Sequence, residues 1–122
     1  MEFWADELSK KPTILVQRTL RSGQNLHYDG NVVVMGDVNP GAEIVASGHV
    51  LVMGSLRGLV HAGATGEEEA TVTALHLAPT QLRIASHITR PPDGSADDEA
   101  KLPEVARVKN ETVIIEDYHP QR

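Results

Sequence analysis

Asp29-Gly30-Asn31-Val32-Val33-Val34-Met35-Gly36 recurs, at an 18-residue step, as Ser47-Gly48-His49-Val50-Leu51-Val52-Met53-Gly54. Other columns keep the same step: Leu20, Val38 and Leu56; Leu26, Ile44 and Ala62; Gly23 and Gly41. Small residues at fixed places in a fixed period mean stacked structural units. A helix pair needs more chain than this, and valine-rich runs favour strands.

Turn residues punctuate each period in three columns. They are Gly23, Pro40-Gly41 and Gly58; Asp29-Gly30, Ser47-Gly48 and Thr65-Gly66; and Gly36, Gly54 and Ala74. Three corners leave three short strands per repeat. The sequence therefore predicts an all-β, single-stranded triangular β-helix, a solenoid of about four coils. The period alone does not set its hand. The corner at Gly48 is expected to need a positive φ.

Working outward, residues 1–17 read as a linker followed by an entry strand at Thr13-Ile14-Leu15-Val16-Gln17. Residues 18–122 read as the β-helix domain. Glu67-Glu68-Glu69 reads as a solvated loop that pushes the next coil out of strict register, with Ala70 and Val72 continuing the inward columns. Residues 74–85 make that fourth coil. Residues 90–103 are polar, acidic and proline-containing, and are expected to be a mobile excursion. Val113-Ile114-Ile115 reads as the final strand.

Composition narrows the function. Aromatic residues are 3% and hydrophobic residues 40% of the chain, which suits a narrow aliphatic interior. A net charge of −6 argues against an electrostatically driven nucleic-acid partner. There is no cysteine, hence no disulfide framework and no thiolate metal site. No apolar run reaches membrane-spanning length, and the start has no signal-peptide pattern, so the expectation is a cytoplasmic protein without direct membrane insertion. The six histidines show no metal-ligand spacing, and neither a phosphate-cradling loop nor a nucleophile elbow is present. No catalytic residue, metal or cofactor is expected. Glu43 and His61 fall in one column of the repeat and are expected to be cross-strand neighbours as a solvated pair.

Two features ask for partners. Val32, Val34, Val50 and Val52 alternate with Val33, Met35, Leu51 and Met53, so the second set points outward and is still apolar. Arg21-Ser22-Gly23-Gln24 sits at a corner and joins a rigid cationic fork, a glycine and an amide. It is either a partner site or a polar surface turn. Stacking sets Asn39 and Arg57 one and two coils from Arg21, and Gly41 one coil from Gly23.

Leu20-Arg21-Ser22-Gly23-Gln24, Gly36-Asp37-Val38-Asn39-Pro40-Gly41-Ala42-Glu43, Gly54-Ser55-Leu56-Arg57-Gly58, His61-Ala62-Gly63-Ala64 and Pro79-Thr80-Gln81-Leu82-Arg83-Ile84-Ala85 together resemble the C-terminal domain of the septum-site determining protein MinC. The likeness covers about residues 19–118. It implies a right-handed β-helix that forms a homodimer, with Val33, Met35, Leu51 and Met53 at the dimer interface. It also implies binding to the membrane-associated ATPase MinD in its ATP-bound state, centred on Arg21, Ser22, Gly23 and Gln24; the 18-residue stacking extends this expected site to Asn39, Gly41 and Arg57 around them. MinC proteins inhibit assembly of the division protein FtsZ and so place the septum. Recruitment to the inner membrane face would then run through MinD. The family's N-terminal domain, which carries most of the FtsZ-inhibiting activity, has no match here: either the sequence is one domain of a longer protein, as Met1-Glu2-Phe3 before a linker-like stretch favours, or it is a recruiting and dimerising half only.

Two rivals come from other classes. A bactofilin-like structural polymer would stack such coils end to end, but the acidic excursion and polar tail count against it. A hexapeptide-repeat acyltransferase would show hexads on all three faces, which this chain lacks.

Overall fold

The computed structural model describes residues 11–90 and 102–120. The linker reading of residues 1–10 and most of the 90–103 excursion lie outside the described residues. The rest contains eleven strands and no helix among the described residues.

The strands are β1 (Thr13–Val16), β2 (Asn25–Tyr28), β3 (Asn31–Val34), β4 (Glu43–Ala46), β5 (Val50–Leu56), β6 (Leu59–Ala62), β7 (Val72–Leu77), β8 (Gln81–Ile84), β9 (His87–Thr89), β10 (Glu104–Lys109) and β11 (Thr112–Asp117). They form two sheets, β1-β3-β5-β7-β10-β11 and β2-β4-β6-β8-β9. Within β1-β3-β5-β7 and within β2-β4-β6-β8 every pairing is parallel, as coil upon coil demands. A narrow third side is held by the parallel bridges Leu20 to Val38 and Val38 to Leu56. The predicted triangular solenoid of about four coils is therefore present.

Inward columns stack one aliphatic residue on the next. Val32, Val50 and Val72 continue to Ala106 across successive strands. Leu26, Ile44, Val60 and Leu82 form a second column. Leu20, Val38, Leu56 and Leu77 form a third. All but Leu26 in these columns are buried. Each fully buried Val, Leu or Ile contributes roughly 1.5–3 kcal/mol relative to exposure. In the first coil Ile14, Val16, Leu26 and Tyr28 are only partly buried, since the described residues place no coil before it.

Polar side chains tie each coil to the next at the period of the repeat. Asn31 Nδ2 donates to Thr13 Oγ1 (3.2 Å), and His49 N–H donates to Asn31 Oδ1 (2.8 Å). At another corner Asp37 N–H donates to Thr19 Oγ1 (3.1 Å) and Ser55 N–H to Asp37 Oδ1 (2.8 Å). Ser47 Oγ donates to Asp29 Oδ1 (2.7 Å). Three of these bonds satisfy the corner N–H groups of Asp37, His49 and Ser55.

The period breaks where the sequence predicts it to hold. The corner at Arg57-Gly58 is shorter than the one at Asn39-Pro40-Gly41-Ala42. Ile44 therefore pairs with Val60 rather than Ala62, and Glu43 with Leu59. Glu43 and His61 are consequently not directly paired; His61 stands between Val45 and Arg83. The chain then lengthens around Glu67-Glu68-Glu69, so that the step from Val50 to its partner Val72 is longer than the step from Val32 to Val50. The shortened corner at Arg57-Gly58 has already moved Thr65-Gly66 off the corner column, and Gly63 instead donates its N–H to Gly48 C=O (3.0 Å). Ala74 is not a corner: it lies inside β7, paired with Val52. In β5, Met53 and Gly54 together face Leu75, a bulge between the Val52–Ala74 and Ser55–His76 pairs. Gly48 does not have the expected positive φ. It is glycine because a Cβ there would collide with Asn31 Oδ1 and press on the Gly30 backbone at 3.2 Å.

Antiparallel strands close the far end. β9 turns back on β8 through Ala85-Ser86, and β10 lies antiparallel to β7 and to β11. Asn110 and Glu111 both take positive φ (54° and 61°) at the β10–β11 turn, as a two-residue hairpin with the twist of its strands needs.

Candidate functional site

Two surfaces carry side chains that the interior does not use. The first is the corner ridge between the narrow side and the β2-β4-β6-β8 sheet. Residues 21–24 close as a tight turn: Gln24 N–H donates to Arg21 C=O (2.9 Å), and Gly23 holds a φ of 89°. One coil on, Asn39-Pro40-Gly41-Ala42 repeats this turn, with Ala42 N–H on Asn39 C=O (3.0 Å) and Gly41 at φ 91°. Proline second and a left-handed glycine third is the pattern of a type II turn. The two turns stack, Gly23 N–H donating to Gly41 C=O (2.9 Å). A Cβ on Gly41 would run into Ser22 Oγ, so Gly41 leaves the space in which Ser22 sits.

The backbone bonds of Asn39 N–H to Leu20 C=O (2.9 Å) and Arg57 N–H to Val38 C=O (2.7 Å) set Arg21, Asn39 and Arg57 along one line. Adjacent rungs lie ~4.8 Å apart, so the two arginines are about 10 Å apart at the backbone. Arg57 Nη1 donates to Asn39 Oδ1 (3.3 Å). No hydrogen bond or ion pair of the described residues engages the Arg21 guanidinium. Arg21, Ser22, Gly23, Gly41 and Arg57 are exposed, Gln24 and Asn39 half-buried. The structure thus brings together all seven residues singled out from the sequence. In a chain of net charge −6 this ridge holds two cationic forks suited to carboxylates or backbone carbonyls.

The second surface is the outer face of the β1-β3-β5-β7 sheet. Leu15, Val33, Leu51 and Thr73 stand side by side in register. Met35, Met53 and Leu75 lie further along the same face. Met35 and Met53 are 47% and 41% exposed, Val33 and Leu51 half-buried. Leu15 (55%) and Leu75 (45%) widen the stripe beyond the four residues named from the sequence. Leu15 is readable, being one period before Val33; Leu75 is not, because the long loop and the β5 bulge shift it. Pro103 and Tyr118 wall a groove against Leu51, Met53 and Leu75. Tyr118 is held there by its N–H on Pro103 C=O (2.8 Å).

Elsewhere His61 Nε2 lies 2.9 Å from Ala85 C=O, and His87 Nε2 lies 3.1 Å from Glu68 Oε2. These contacts pin the β8–β9 turn and the acidic loop. Among the described residues no group of three acidic or histidine side chains is arranged to hold a metal ion. No described helix is long and apolar enough to cross a membrane.

Residues 14–118 match the family model described as "Septum formation inhibitor MinC, C-terminal domain". A probable septum site-determining protein MinC of Heliobacterium modesticaldum is 60% identical over 107 residues, covering 88% of this chain and 37% of that protein. The corresponding protein of Acetivibrio thermocellus is 54% identical over 120 residues, covering 98% of this chain and 53% of that protein. The chain thus spans about half the length of such relatives or less. Among solved structures, a chain of the "MinC:MinD cell division protein complex" from Aquifex aeolicus superposes with a TM-score of 0.82 at 33% identity, covering 90% of this chain and 89% of that one.

Proposed function

The chain belongs to the family of the MinC C-terminal domain, and from that premise we propose that it is a non-enzymatic recruiting module of the division-site machinery. The Arg21 to Arg57 ridge binds MinD in its ATP-bound, membrane-associated state. The apolar stripe pairs two copies of the chain. The resulting homodimer helps to block FtsZ assembly and so to place the septum. It works at the inner membrane face through MinD, not by inserting itself.

The observation that carries this reading is the stacked double turn with the Arg21 fork, engaged by no described residue, at its edge. A fold shared with a chain from a MinC:MinD complex supports the choice of partner. The arrangement is preorganised: the turns and ladders fix the backbone before a partner arrives, so little ordering cost falls on binding.

A pull-down with purified MinD tests the reading. The chain is expected to retain MinD loaded with ATP and to lose it when MinD carries ADP. Equal recovery from both, or from neither, contradicts the proposal.

A further inference from the structure

We propose that Gln24 is a positioning residue that acts through Arg21, a deepening that rests on the ridge reading above. In the second and third coils the ridge residue is fixed by the coil before it: Asn39 N–H donates to Leu20 C=O and Arg57 N–H to Val38 C=O. Arg21 stands in the first coil, where the described residues supply no such carbonyl. Its N–H is taken instead by the side chain of Gln24, Oε1 lying 2.7 Å away. Gln24 N–H in turn donates to Arg21 C=O (2.9 Å). The amide side chain therefore does for Arg21 what the coil beneath does for Asn39 and Arg57, and locks both backbone groups of Arg21 into one turn.

The repeat supports this by contrast. The residue that matches Gln24 in the second coil is Ala42, which is buried and has no side-chain acceptor. It needs none, because Asn39 N–H is already bonded to the coil beneath. Of these two turns, glutamine occupies the one whose leading N–H, that of Arg21, takes no backbone carbonyl of the described residues. What Gln24 does for recognition follows: it holds the Cα–Cβ direction of Arg21, and the guanidinium reaches the partner from a fixed root.

A double-mutant cycle separates this from direct contact. ATP-loaded MinD is titrated into the parent chain, Gln24→Leu, Arg21→Ala and the double variant. Gln24→Leu is expected to weaken binding about fivefold in the parent, the scale of one net hydrogen bond. In the Arg21→Ala background the same change is expected to weaken it less than about twofold, since there is no fork left to aim. Gln24→Glu keeps an acceptor oxygen and is expected to preserve slow exchange of the Arg21 amide, which Gln24→Leu loses. An equal penalty for Gln24→Leu in both backgrounds overturns the proposal and makes Gln24 a contact residue. Unchanged exchange at the Arg21 amide in Gln24→Leu overturns it too. If Arg21→Ala alone binds like the parent, the ridge reading itself falls and takes the proposal with it.

Discussion

Gly48 has an ordinary backbone angle, so its neighbours explain why it is glycine. Asn31 Oδ1 occupies the space a Cβ would need, and cannot step aside without losing the His49 N–H it accepts at 2.8 Å. Gly48→Ala is expected to destabilise by about 1–3 kcal/mol through this overpacking, measured by chemical denaturation. A change below about 0.5 kcal/mol would mean that the corner yields freely. On the ridge, Arg57 shares its guanidinium with Asn39 (3.3 Å), whereas no described residue engages that of Arg21. Arg57→Ala should therefore weaken MinD binding by less than Arg21→Ala does, at an unchanged melting temperature; the reverse order would show that the third coil, not the first, anchors the partner. The ridge was legible in the sequence, because Arg21 to Gly41 lies where the period holds without interruption. The bond from Arg21 to Gln24 was not, since nothing in a pattern of columns shows which acceptor the Arg21 N–H takes.

At the scale of strands, the proposed association of two copies rests on the outward apolar stripe. β3 and β5 carry apolar residues on both faces, and a strand apolar on both faces is usually covered on both. Two copies meeting across a two-fold axis would each present this same stripe. Leu51→Asp sets a charge at its centre and is expected to yield a folded monomer by light scattering with a strand-dominated circular dichroism spectrum. A Leu51→Asp protein that remains dimeric would place the contact elsewhere. The alternation in β3 and β5 is read correctly from the sequence, whereas the other sheet slips in register. Gly41 and Gly58 both mark a corner and stand 17 residues apart, close enough to 18 to read as one column while the corner itself shortens. The pairing of Ile44 with Val60 rather than Ala62 exposes the slip. The insertion around Glu67-Glu68-Glu69 and the fourth coil beyond it were legible, but the register of that coil was not, because the loop adds length whose amount no periodic pattern can set.

Across the whole molecule, the two surfaces lie on different sides of one prism, the ridge on a corner and the stripe on a face. A change to one should leave the other intact. The far end is finished by antiparallel pairings: β9 and β10 run against the coil direction, β11 pairs antiparallel with β10, and parallel stacking is interrupted. The chain alone is therefore expected to form no filaments by electron microscopy, and filaments without any partner would favour a structural polymer instead. The central claim, that a ridge led by Arg21 is the MinD site, is tested most directly by calorimetric titration of ATP-loaded MinD into the parent and into Arg21→Ala. Arginines central to an interface commonly carry about 2 kcal/mol or more. The account predicts one MinD per chain for the parent, and for Arg21→Ala an affinity weakened more than about tenfold in a protein that is still dimeric. Parent-like affinity in Arg21→Ala would contradict it and reduce the ridge to a polar turn.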